Sequence, residues 1–90
     1  MNRTKVLVVG MARSGVSAAK LALSRGFEVR CVDMRADAPR VEGTEFCYGP
    51  HPAEWFLEAE QIVVSPGVPR AHPLLQAALQ KGIPILGELA

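Results

Sequence analysis

The sequence predicts an α/β fold: a parallel sheet of about five strands with helices on both faces. Three observations carry this reading. Short apolar runs of strand length recur along the 90 residues. Stretches with helical spacing lie between them, so strand and helix signals alternate. Glycine and proline punctuate the junctions, and no internal repeat, low-complexity tract or linker interrupts the pattern.

Lys5 to Val9 reads as the first strand, apolar on both faces as a central parallel strand must be. Ser14 to Arg25 reads as a helix. Val16, Ala19 and Leu23 share one face with Ala18 and Ala22 beside it, and Gly26 is the C-terminal stop. Phe27 to Asp33 is the second strand. Met34 to Gly43 is a loop holding Pro39, and Glu45 to Tyr48 is a short third strand before the Gly49-Pro50 turn. Pro52 to Leu57 is a short helix with proline in its first turn. Trp55 and Phe56 on it are expected to pack on the sheet, and His51 to stand in an exposed loop. Gln61 to Val64 is the fourth strand, ending at Ser65-Pro66-Gly67, where Gly67 is expected to supply a positive φ. Pro73 to Lys81 is a helix with Leu74, Leu75, Ala78 and Leu79 along one face, Gly82 at its end and His72 able to cap its start. Pro84 to Leu86 opens a fifth strand.

Composition narrows the function classes. The formal net charge is +1 and no basic block stands out, so nucleic acid is a poor partner for this chain. No apolar run reaches membrane-spanning length, and the N-terminal run is too short for a secretory signal, which points to the cytoplasm. Cys31 and Cys47 form no CxxC pair and read as two core thiols in a reducing compartment. No metal constellation and no nucleophile–base pair is visible.

The chemistry concentrates after the first strand. Gly10 permits a tight turn, and Gly15 lets the following helix pack closely. Such a loop aims backbone N–H groups and the positive end of a helix dipole at one point, which attracts phosphate. This is a Rossmann-like arrangement. The dinucleotide fingerprint places a middle glycine where this chain has Ala12, whose methyl group would push a close-lying pyrophosphate outward. Arg13 and Ser14 offer a guanidinium and a hydroxyl to phosphate oxygens, or else serve as a solvated side chain and a plain helix cap. Asp33, 18 residues after Gly15, suits the ribose of a dinucleotide, a different nucleoside, or the capping of a loop. An NAD(P)-binding domain of an oxidoreductase or regulatory subunit, and a doubly wound domain used only for assembly, therefore stay open on pattern alone.

Three separated motifs resemble the N-terminal domain of the MurD family, the UDP-N-acetylmuramoyl-L-alanine:D-glutamate ligases of peptidoglycan synthesis. The first is Val6-Leu7-Val8-Val9-Gly10 through Gly15. The second is Val32-Asp33-Met34-Arg35. The third is Val63-Val64-Ser65-Pro66-Gly67-Val68, followed by His72-Pro73 and Gly82-Ile83-Pro84-Ile85. The resemblance spans essentially all 90 residues and favours the D-glutamate-adding branch over the L-alanine-adding one. It implies that residues 1–90 are a domain binding the UDP moiety of UDP-N-acetylmuramoyl-L-alanine. Ala12, Arg13 and Ser14 would meet the diphosphate, Asp33, Met34 and Arg35 the uracil side, and Ser65 with Gly67 the border of the nucleotide. Met34 stands where a hydroxyl residue is common in the family, and Ala12 where many members have glycine.

The resemblance also implies an ATP-dependent ligase in which ATP activates the L-alanyl carboxylate for attack by D-glutamate. The ATP loop G-x-x-x-x-G-K-[ST] does not occur in this chain. ATP and Mg2+ are thus expected in central and C-terminal domains of a longer protein. The 90 residues alone are expected to need no cofactor, to bind and not to catalyse.

Overall fold

A computed structural model describes residues 3–69 and 71–87. The elements follow in the order β1 (Lys5–Val9), α1 (Arg13–Ser24), β2 (Glu28–Asp33), β3 (Glu45–Tyr48), α2 (Ala53–Glu58), β4 (Gln61–Val64), α3 (Pro73–Gln80) and β5 (Ile85–Leu86). β1, β3 and β4 have the bounds expected from the sequence. The other elements differ by a residue or so at their ends.

The strands form one all-parallel sheet in the order β3-β2-β1-β4-β5. β1 is central, pairing Val8 with Cys31 on one side and with Val63 on the other. This position explains why Val6, Leu7, Val8 and Val9 are all buried. Alternate residues serve two cores. Val6, Val8, Val29, Cys31 and Val63 pack under Ala18, Ala19 and Ala22 of α1. Leu7, Val9, Val32, Ile62 and Val64 pack against Phe56 of α2 and Leu75 and Ala78 of α3. Helices therefore cover both faces, α1 on one and α2 with α3 on the other.

Both longer helices stop by the same device. Gly26 and Gly82 take φ values of 81° and 90°. The Gly26 N–H donates to the Leu23 carbonyl and the Phe27 N–H to that of Ala22. Gly82 and Ile83 repeat this on Leu79 and Ala78. These paired bonds satisfy the last helical carbonyls and turn the chain toward the next strand.

Some expectations are corrected. Leu79 is 55% exposed, because Leu75 and Ala78 already take the sheet-facing stripe of α3. Cys31 is buried, and burial pushes its thiol up to about 11 against a smaller opposing pull from Thr44. Cys47 lies on the edge strand β3 and is only half-buried, so there is one core thiol rather than two. Both are free.

His51 is not an exposed loop residue either. Its ring stacks on His72 at 5.5 Å between centroids and lies 5.8 Å from the ring of Phe56. His72 in turn caps α3, accepting from the Leu74 N–H at Nδ1, 3.2 Å away. Burial, and secondarily His72, lowers the basicity of His51; the Gly49 backbone and the Asp33 charge pull the other way without reversing the shift. A histidine whose folded pKa lies below its unfolded value of about 6.5 contributes stability that is complete above that value and declines as pH falls. The thermal midpoint should therefore drop as pH falls from 7 through the histidine range, and His51→Phe should flatten that drop; a parallel drop in the variant would locate the acid sensitivity elsewhere.

Candidate functional site

The site lies at the carboxyl end of the sheet, where β1 breaks into α1. Gly10 has φ of 89°, and its N–H donates to the Val32 carbonyl at 2.8 Å. A side chain at Gly10 would collide with Val68 and Ser65 as well as strain the backbone. Gly15 is demanded by space alone: an ideal Cβ there would lie 1.9 Å from the Gly10 carbonyl oxygen. That carbonyl is also fixed from β4, since the Ser65 hydroxyl donates to it at 2.7 Å. One strand end, one helix start and the next strand's end are thus pinned at a single point.

α1 begins at Arg13 with Ala12 as its N-cap and no side-chain cap, and its first turn holds no acidic residue. Ser14 therefore lies inside the helix rather than capping it. Its hydroxyl stands 3.5 Å from that of Ser65, the limit of a hydrogen bond. The Arg13 and Ser14 N–H groups find no acceptor among the described residues, as the first turn of a helix dictates. The exposed Arg13 side chain makes no hydrogen bond or ion pair among the described residues either. Open donors, an unneutralised helix dipole and a loose guanidinium together form an anion-binding environment.

Ala12, Arg13, Ser14, Gly15 and Ser65 line one cavity of about 570 Å³. Asp33, Met34, Arg35 and Gly67 do not line it. Asp33 sits at the end of β2, only 8% exposed. Its Oδ2 accepts from the Met11 N–H at 2.7 Å, and its Oδ1 from the Arg35 N–H at 2.8 Å and Nε at 3.4 Å. Burial alone would raise its pKa; the Arg35 and Met11 donors and the Arg35 charge outweigh burial and hold it below the usual value. This carboxylate latches the β1–α1 loop to the end of β2. Met34 is 69% exposed beside it, and Arg35 is held by the latch.

The Ser65–Val68 turn closes through the Val68 N–H on the Ser65 carbonyl, at 3.0 Å. Gly67 does not take the positive φ expected of it, and nothing lies within 4 Å of where its Cβ would be. The turn closes with φ at both central positions outside the left-handed region, so the fold itself does not require glycine there.

Met11 was not singled out from sequence as a site residue. It is fully buried, and its N–H holds Asp33. Its signal was a large apolar side chain inside a loop of small and polar residues. Ser17 and Leu21 of α1 and Gly87 just after β5, which also line the cavity, gave none.

Comparison with known proteins shows the family of the chain. Residues 4–87 match the family model described as Mur ligase MurD-like, N-terminal domain. The chain is 38% identical over 93 residues to the UDP-N-acetylmuramoylalanine–D-glutamate ligase of Desulfatibacillum aliphaticivorans, covering 94% of this chain and 21% of that protein. It is 41% identical over 92 residues to the enzyme of the same name from Methylobacillus flagellatus, covering 94% and 20%. The chain thus spans about a fifth of the length of these relatives.

Among solved structures, the Thermotoga maritima UDP-N-acetylmuramate-alanine ligase MurC superposes with a TM-score of 0.68 at 23% identity, over 91% of this chain and 20% of that one. Malate dehydrogenase from Cryptosporidium parvum gives 0.57 at 17% identity, over 76% and 26%. These two likenesses show a shared Rossmann-like fold. The family match and the sequence relatives show more: the chain belongs to the Mur ligase family, as a MurD-like N-terminal domain.

Proposed function

We propose that this chain anchors the UDP moiety of UDP-N-acetylmuramoyl-L-alanine for a ligase that adds D-glutamate to it in peptidoglycan synthesis. The observation that carries this reading is the uncapped, acid-free start of α1, with its N–H groups open beside Ser14 and Ser65. The names of the relatives supply the nucleotide. In this reading the Arg13 and Ser14 amides and the Arg13 guanidinium bind the diphosphate. Asp33 holds the Met11 turn in place, and Met34, Arg35 and Gly67 border the nucleoside. Holding the substrate by this distant handle positions the reactive carboxylate for the rest of the enzyme. ATP, Mg2+ and D-glutamate belong to parts of the ligase beyond this chain, so the 90 residues alone bind without catalysing.

An NMR titration with UDP-N-acetylmuramoyl-L-alanine, run beside one with NADH, tests the reading. Saturable shifts at Arg13, Ser14, Asp33 and Gly67 with the muramyl nucleotide alone are the expected outcome. Shifts with NADH alone would move the chain to dinucleotide binding. Arg13→Ala should weaken UDP binding by about 1–3 kcal/mol, roughly 5- to 150-fold in Kd, if its guanidinium meets phosphate. An unchanged Kd would leave Arg13 as solvated surface.

A further inference from the structure

Three rings from three parts of the chain meet on the α2 and α3 side of the sheet. His72, before α3, stacks on His51, after β3, at 5.5 Å and 27°. Its ring is also parallel to that of Phe56 in α2, at 6.0 Å and 4°. The proposed function gives the two histidines no part. In both, Nδ1 faces a place where a proton does not fit. The His72 Nδ1 accepts from the Leu74 N–H and so caps α3. The His51 Nδ1 is shielded from water and has no hydrogen-bond partner among the described residues. A histidine cation carries an N–H at both ring nitrogens. On His72 the added proton would point at another donor, and its charge would sit at the positive end of α3, whose first turn holds no acidic residue. On His51 it would be a buried donor without an acceptor, so the ring would have to leave its stack.

Five elements face the pair. The end of β2 brings the charge of Asp33, which reaches His51. β3 brings Cys47, packed against the same core, and the turn after it brings the Gly49 backbone. α2 brings the uncharged ring of Phe56, its Glu54 being exposed. α3 brings the Leu74 N–H. The pair is also tied to the anion site. The His72 N–H donates to the Pro69 carbonyl at 3.2 Å. Val68 packs into the core that holds Phe56, and its Cγ2 lies against Gly10. Ser65 holds the Gly10 carbonyl. The cap of α3 and the β1–α1 loop are therefore two ends of one connection.

We propose that the His51–His72 pair is a proton-operated release: a proton taken up by the pair uncaps α3 and frees the turn that carries Ser65 and Gly67, so the site holds its nucleotide only while the pair is unprotonated. The nucleotide half of this rests on the proposed function; the release of the turn does not. By linkage, nucleotide and proton oppose each other with one coupling factor.

The test is an NMR titration of the chain from about pH 8 to about 5.5, the histidine range. Asp33, held below the usual carboxylate value, stays charged throughout. The amides of Ser65, Gly67, Val68 and Leu74 should move with the same midpoint as the histidine rings, while that of Val29 in the other core stays in place. His72→Asn supplies a cap that does not titrate. With its circular dichroism at pH 8 that of the parent, it should abolish these movements. The Kd for UDP-N-acetylmuramoyl-L-alanine, whose diphosphate diester keeps its charge over this range, should rise about fivefold in the parent and stay level in His72→Asn. Saturating nucleotide should lower the histidine midpoint by roughly 0.7 pH unit, the same factor seen from the other side. Histidine rings that titrate while the Ser65, Val68 and Leu74 amides stay still would overturn the proposal, and this needs no variant. So would equal loss of affinity in parent and His72→Asn. No binding of the nucleotide even at pH 8 would sink the proposed function instead, and the amide titration would still uphold or overturn the release.

Discussion

Gly15→Ala should lower the thermal midpoint by more than about 12 °C, although helix propensity alone predicts a gain. Inside a helix, alanine is better than glycine by about 1 kcal/mol. Here the added Cβ would lie 1.9 Å from the Gly10 carbonyl oxygen. The colliding atom is backbone, and the Ser65 hydroxyl holds it from the other side. No side chain can swing away, so the helix start must separate from the end of β1. Overpacking costs about 1–3 kcal/mol where side chains can adjust. Against a pinned carbonyl, a net loss of about 3 kcal/mol or more is expected, at roughly 4–8 °C per kcal/mol for a domain this size. Gly67→Ala is the control. With open space around it and no positive φ, it should stay within about 0.5 kcal/mol of the parent. A Gly15→Ala variant as stable as Gly67→Ala would show that the loop can widen freely.

Asp33→Ala should cost about 2–4 kcal/mol and weaken UDP and simple pyrophosphate together. The variant strands the buried Met11 N–H and frees the Arg35 N–H and guanidinium. Hydrogen bonds to a charged group contribute about 1.5–3 kcal/mol each, and an orphaned buried donor adds its desolvation penalty. The β1–α1 loop hangs from that latch, so in the proposed reading its geometry loosens for any anion. A loss confined to UDP, with pyrophosphate unchanged, would instead make Asp33 a nucleoside contact only. The latch also carries a pH signature. A carboxylate whose folded pKa is depressed contributes stability that is complete above its unfolded value, about 3.9, and is lost as pH falls through the folded value. Acid denaturation of the parent should show this component, and Asp33→Asn should lack it while keeping the loop partly tied.

The alternation of apolar strands and helices was legible because each signal is local. Val6 to Val9 carry a buried run, and Gly26 and Gly82 stand where the two longer helices end. The tight glycine loop between β1 and α1 was legible for the same reason, since Gly10 and Gly15 lie only five residues apart in sequence. What sequence did not show are relations across the fold. Asp33 is 22 residues from the Met11 N–H it holds, so spacing alone left its role open among a ribose, another nucleoside and a cap. His51 looked like a loop residue because the rings of Phe56 and His72 come to it from two other elements. Leu79 was placed on the buried stripe because helical spacing does not say where a stripe ends. Gly67 was expected at positive φ because Pro-Gly fits that turn, yet the turn closes without it.

The central place of β1 has a consequence for assembly during synthesis. The strand emerges first, yet its hydrogen bonds on one side wait for β2 and on the other for β4. The contact that seals β1 to β4, from Ser65 to Gly10, joins positions 55 residues apart. At the usual pace of translation that interval is roughly 3–11 s. During it a β1–α1–β2 unit carries an unpaired apolar edge formed by Val6 to Val9. Such an edge is open to pairing with another nascent chain. Crowded ribosomes on one message, or slow codons between positions 48 and 61, should therefore lower the yield of native domain, and a holdase chaperone should restore it.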